Sequence, residues 1–222
     1  MQKLDKTRIL ATSYKAWQDK LEQEFEDHPE YTSKHEYYID VIANLLWIQD
    51  GLCAYTEQFL FDHHDLLAED WVDGKYGKGK FEFYGHLEHY DESLKENKGW
   101  LWSNLFVVHS DINTKRKGSK AVKYALKPDA DNYDPFYLLE YNFKEHRFLP
   151  NSERDFDLQE NILHDINVLG LNYQSLVQER KIQLNTLIEK VNLKKKTLDD
   201  ARKSLREYFT AFEMIVRSLK IV

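Results

Sequence analysis

Apolar residues recur at intervals of three and four at both ends of this chain and lose that interval through most of the middle, so the ends read as helix and the centre as short strands and loops. Leu10, Tyr14, Trp17, Leu21 and Phe25 line one face of a helix that Pro29 stops. Ser33 with Glu36 has the form of a capping box. Tyr38, Ile42, Leu45 and Leu46 continue as an apolar face, and Gly51 stands where a left-handed terminator belongs, so a second helix is expected over about 34–50. From Phe156 onward the chain is helical again. Thr197 with Asp200 marks a fresh helix start, after a Lys194-Lys195-Lys196 linker. Leu198, Ala201, Leu205, Tyr208, Phe212, Ile215 and Leu219 then form one apolar seam on a long helix, for the chain's own helices or for a partner.

The middle has a different pattern. Residues 71–80 hold three of the 8 glycines and read as a loop. They lack the G-x-x-x-x-G-K-[ST] order that cradles phosphate. Phe81, Phe83 and Leu87 lead to His89 as a strand, and Leu105-Phe106-Val107-Val108 is a second β-prone run. Asp111 is a candidate N-cap for a helix reaching about Leu126, before Pro128. Phe136 to Leu149 reads as a hairpin. The expected class is α+β and mostly helical.

Composition narrows the function classes. With 14% aromatic residues and only 8 glycines and 4 prolines in 222 residues, disordered, collagen-like and low-complexity chains are excluded. No apolar run approaches the roughly 18 residues of a membrane span, and the N-terminus leads into no apolar signal core; the expectation is a soluble, cytoplasmic protein with no membrane partner. The single cysteine, Cys53, rules out an intrachain disulfide and a four-cysteine zinc site. A net charge of −7 rules out a basic coat, so any phosphate contact rests on a local patch.

Four segments carry polar residues in order, GLCAYTE at 51–57, GHLEHY at 85–90, WSNLF at 102–106 and HSDINTK at 109–115. Singly, each histidine reads as a surface or core residue, Asn104 as a turn residue and Asn113 as a polar helix residue; together they could serve phosphodiester chemistry. Such hydrolysis needs a base for water, and a histidine titrates in the right range. It also needs charge neutralisation, and a hard divalent cation is held by carboxylate and amide oxygens. Glu88 and His89 are neighbours, so within a strand they point to opposite faces and share a site only where the strand ends or twists. The basic stretch Lys115, Arg116, Lys117 is either a solvated helix face or a nucleic-acid contact, Lys115 above all. His86 lies three residues before His89 and faces the other way; His63-His64 beside Asp62 and Asp65 reads as a solvated helix face.

The ordered set resembles the HNH nuclease family, whose fold is a ββα-metal hairpin plus helix, and more narrowly the PtuB-like HNH subunits of Septu and retron-associated anti-phage systems. That group carries a GLCAYCE-like segment, then HIEHF, then W-x-NL, then C-x-x-CN-x-x-K; this chain has GLCAYTE, HLEHY, WSNLF and, in the last place, HSDIN. Leu169-Gly170-Leu171-Asn172 through Leu176 to Arg180 resembles the group's LgLN…L…R segment. The likeness covers roughly residues 38–180.

The resemblance implies a ββα-metal core embedded between N-terminal helices (1–50) and a C-terminal helical region (156–222, a candidate partner-binding part), with the core and its hairpin at 51–155. His89 would be the general base. Glu88 and Asn113 would be metal ligands, for Mg²⁺ or else Mn²⁺. Asn104 would pin the loop between the strands. The implied activity is a metal-dependent endonuclease, with DNA ahead of RNA as substrate. It would be the effector of a bacterial defence complex with a PtuA-like ATPase and, in the retron branch, a reverse transcriptase with its RNA–DNA product. Of the group's zinc-knuckle positions only Cys53 keeps cysteine; Thr56, His109 and Ile112 stand at the others. No complete knuckle remains, no structural zinc is expected, and apolar packing around Tyr55, Phe106 and Ile112 would replace it. The alternatives are an inactive HNH scaffold kept for docking, or a helical adaptor.

Overall fold

A computed structural model describes residues 1–219; the last three residues of the expected C-terminal region lie outside the described residues. The chain is α+β and mostly helical, with small antiparallel sheets. None of its helices among the described residues is long and apolar enough to cross a membrane. It divides into two compact units, one of residues 4–54 and 58–122, the other of 1–3, 55–57 and 123–222. This division does not follow the expected boundaries at 50 and 155. The N-terminal helices share a core with the central strands, and the hairpin belongs with the C-terminal helices.

In the first unit, helix α1 (Thr12–Glu24) has no side-chain cap of its own. Asn44, fully buried on helix α2 (Tyr38–Ile48), accepts the amides of Leu10 and Ala11, each at 2.8 Å. That bond sets the start of α1 from a distance of more than thirty residues. The capping box expected at Ser33 is not used: Glu36 turns away to Lys75 at 2.7 Å, and α2 starts later, at Tyr38. Gly51 does take the left-handed conformation, φ +72°, and any Cβ there would meet the Phe61 carbonyl.

Strands β1 (Trp71–Val72) and β2 (Lys75–Tyr76) make a small ribbon inside the expected loop. Strands β3 (Gly85–His89) and β4 (Leu105–His109) pair antiparallel, with Gly85 opposite His109 and His89 opposite Leu105. The outer edge of β4 is closed by a side chain: Gln49 accepts the Val107 amide at 3.0 Å and donates to its carbonyl at 2.8 Å. Between the strands lies the short helix α3 (Lys95–Lys98).

The helix expected from Asp111 to Leu126 is reduced to one π-wound turn, Ile112–Lys117, closed by the Gly118 amide on the Asn113 carbonyl at 3.0 Å. Beyond it, in the second unit, the amides of Lys123 and Leu126 go to the carboxylate of Asp165, which takes the place of helical partners.

The second unit comprises α4 (Pro135–Leu138), the hairpin β5 (Leu139–Asn142) and β6 (Arg147–Pro150), and helices α5 (Phe156–Val168), α6 (Gln174–Asn192), α7 (Leu198–Ser204) and α8 (Phe209–Leu219). The LgLN…R segment holds the hairpin to the helices. Asn172 pairs with both main-chain groups of Phe148, at 2.9 and 2.7 Å. Arg180, fully buried, donates to the carbonyls of Leu171 and His146 and to the Tyr141 hydroxyl. A guanidinium suits this role because its donors form a fixed planar fork.

The seam expected on one long helix is split between α7 and α8, with Tyr208 in the left-handed region at φ +61°. Glu57 draws the break: its carboxylate accepts the Thr210 amide at 2.9 Å and pairs with the Met1 ammonium at 3.0 Å. Ala201, Tyr208, Phe212 and Ile215 are buried, so most of the seam serves the chain's own core; Leu219 is exposed.

Candidate functional site

Strand β3 ends at His89; within it the Glu88 side chain meets Lys117 and the His89 ring meets the Gly99 carbonyl. Both are buried, at 3% and 2% exposure. The His89 ring lies against the loop between the strands. Its Nε2 is 2.9 Å from the Gly99 carbonyl oxygen. A carbonyl only accepts, so Nε2 carries the proton. Burial holds His89 below its ordinary pKa, hence neutral, and the lone pair is on Nδ1. The ring edge meets Tyr31 with centroids 4.6 Å apart.

Gly99 fits there for lack of a side chain: a Cβ would come within 2.7 Å of the Lys95 carbonyl and 2.9 Å of the Tyr31 Cβ. Next to it, the Trp100 amide donates to His28 Nδ1 at 3.2 Å, and the His28 amide to the Asn97 carbonyl at 2.7 Å. These bonds dock the segment after α1 onto the loop.

Asn104 clamps the same loop at its other end. Its Oδ1 accepts the Asp91 amide at 2.8 Å and its Nδ2 donates to the Asp91 carbonyl at 2.9 Å. The loop bearing Gly99 is thus tied down both at Asp91, by Asn104, and at Asn97 and Trp100, by His28.

Glu88 points to the π-wound turn. Its Oε1 lies 2.6 Å from Lys117 Nζ, and the same ammonium donates to the His89 carbonyl at 2.7 Å. Burial raises the Glu88 carboxyl to about 7, against the opposing pull of Lys117. Lys117 is fully buried. Its expected place on a nucleic-acid surface is therefore corrected: the π winding turns it inward while Lys115 and Arg116 stay exposed. Lys115 pairs with Asp111 at 2.7 Å. Asn113 is half-buried, and its carbonyl closes the π turn.

As arranged, these residues do not fit a divalent cation. Such an ion takes several oxygen ligands and repels a neighbouring ammonium. Here the one carboxylate is already neutralised by Lys117 at contact distance. Among the described residues, the only convergent trio of metal-ligating side chains is Asp62, His63 and His64, on a mostly exposed turn where Asp62 also accepts the His64 amide.

At the positions that the resemblance assigns to a knuckle, Cys53 is buried and its Sγ accepts the His109 amide at 3.3 Å; His109 Nδ1 accepts from the Asp111 amide. Tyr55, Phe106 and Ile112 are all fully buried. His86 is exposed, on the opposite face from His89.

Beside Tyr31 opens a cleft of about 710 Å³ lined by Asp27, Glu30, Glu92, Glu96, Lys95 and Tyr31 among others. Four carboxylates against one ammonium make it a poor approach for phosphate. Sequence reading missed Tyr31, Gly99 and the inward turn of Lys117. A glycine acting through its carbonyl and a lysine inside a basic run carry no distinguishing signal. Scanned against protein-family models, the chain matches none, and no curated protein matches it.

Proposed function

We propose that this chain is an HNH-type endonuclease subunit with His89 as its general base, in a closed state. The observation that carries the reading is the Nε2–H bond from His89 to the Gly99 carbonyl, within a strand–loop–strand–turn whose loop is clamped by Asn104. A base needs one ring nitrogen held and the other unprotonated: this bond holds Nε2, and burial, which lowers the ring's pKa, favours a bare Nδ1. In the reaction, His89 Nδ1 takes a proton from water as the water oxygen bonds to phosphorus, and the bond to the leaving oxygen breaks. The charge on the phosphate oxygens requires a cation. The cation nearest to hand, Lys117, is committed to Glu88. As arranged the site does not fit Mg²⁺ or Mn²⁺, and no step here runs through the ion; Glu88 and Asn113 are the residues that the resemblance would make its ligands.

The closed state supports a partner-triggered role. His89 is out of reach of bulk solvent, Tyr31 covers its edge, and the adjacent cleft is acidic. A PtuA-like ATPase is the partner the reading names, with a retron reverse transcriptase and its RNA–DNA product in that branch, and DNA ahead of RNA as substrate. The same burial favours a second reading, an inactive HNH scaffold retained for docking. The test is cleavage of DNA and RNA with Mg²⁺ or Mn²⁺, with and without the ATPase encoded beside this chain. Cleavage by the wild type that His89→Ala lacks supports the nuclease. Equal background from both, in every combination, leaves the docking subunit.

A further inference from the structure

Lys117, which meets the end of β3 from the π-wound turn, is not used by the proposed reaction, and it is buried at high cost. Taking an ammonium out of water is expensive unless its partners are well placed. Two oxygens meet it, Glu88 Oε1 at 2.6 Å and the His89 carbonyl at 2.7 Å. One is a carboxylate and one a main-chain carbonyl, both hard donors of the kind that hold divalent cations. The lysine reaches them from a π-wound turn of six residues that ends at Gly118, whose φ of +50° stops the helix immediately after it. Such turns concentrate at functional sites.

We infer that Lys117 is the resident cation of this site: its ammonium sits between Glu88 and the His89 carbonyl where a divalent ion would have to bind, so the docked lysine and the ion exclude one another. This rests on the nuclease reading for what the site is for. It makes Lys117 a positioning residue and a plug.

Two measurements test it without using cleavage. Mn²⁺ binding, followed by electron paramagnetic resonance, compares the wild type with Lys117→Met and with the double variant Glu88→Gln/Lys117→Met. The expected result is binding at least about tenfold tighter in Lys117→Met, with the gain lost in the double variant. Equal Mn²⁺ affinity in wild type and a folded Lys117→Met overturns the inference. In the wild type itself, amine labelling read by mass spectrometry reports whether Lys117 is docked. Labelling of Lys117 is expected to be low without Mn²⁺ and to rise with millimolar Mn²⁺; labelling that Mn²⁺ leaves unchanged overturns the inference, and this arm decides if Lys117→Met does not fold. Absence of cleavage in every nuclease assay would remove the proposed reaction while leaving both of these readouts intact.

Discussion

His89 donates its Nε2 proton to the carbonyl of Gly99, ten residues further along the chain and 2.9 Å away. The bond selects the ring tautomer, and the space it needs exists because Gly99 has no side chain. Gly99→Ala forces Lys95 or Tyr31 to give way. The expected outcome is a loss of about 1–3 kcal/mol in urea unfolding. The His89 nitrogen resonances should also move as the Nε2 bond lengthens. An unchanged tautomer and unchanged stability would show that the loop relaxes freely and does not set the ring.

The buried pair Glu88–Lys117 predicts an asymmetry. Removing one partner strands the other in the core, so Glu88→Leu or Lys117→Met alone should cost roughly 3–5 kcal/mol. Removing both together should cost much less than the sum, because no uncompensated group remains. A double-mutant cycle from chemical denaturation measures this. Additive losses would mean that the 2.6 Å contact does not couple the two groups in solution.

Asn104→Ala removes both bonds to the main chain of Asp91. The expected cost is about 1–3 kcal/mol, since a partly buried donor and acceptor lose their partners. Amide hydrogen exchange should rise first at Asp91 and through the loop to Gly99. Uniform protection across that loop would place its anchorage elsewhere.

The pH dependence has two opposing parts. Burial lowers the pKa of His89 and of His146, so the unfolded chain binds protons that the folded chain refuses. Their contribution to stability is present above the ordinary histidine pKa of about 6.5 and is lost as pH falls below it. Glu88 runs the other way: with its carboxyl raised to about 7, its contribution weakens as pH rises from the ordinary glutamate range through that value. Single variants separate them. From pH 7.5 to 5.5 the wild type should lose stability relative to His146→Gln and gain relative to Glu88→Gln, measured by thermal unfolding at each pH.

Much of the architecture was legible in spacing alone. The helices around Leu10–Leu21 and Tyr38–Leu46, the run Leu105–Val108, the hairpin before Pro150 and the Thr197 cap all stand near their expected places. Each depends on neighbours in sequence: periodic burial, a hydroxyl cap, a glycine with positive φ at Gly51. The misreadings share the opposite property. Helix did not continue past Lys117, where Gly118 takes positive φ and the amides of Lys123 and Leu126 go to Asp165. The long seam broke where Glu57 captured Thr210. The capping box at Ser33 lost its glutamate to Lys75.

The candidate site divides along the same line. Residue types and their order, Glu88-His89 then Asn104 then Asn113, were set by the sequence, because chemistry follows from side-chain identity. Which nitrogen of His89 is free, and which cation Glu88 meets, were decided only by the tertiary structure. Both depend on groups that carry no local mark, a glycine carbonyl and one lysine among several. Burial makes those few ångströms count, since inside the protein water no longer screens a charge or supplies a missing hydrogen bond.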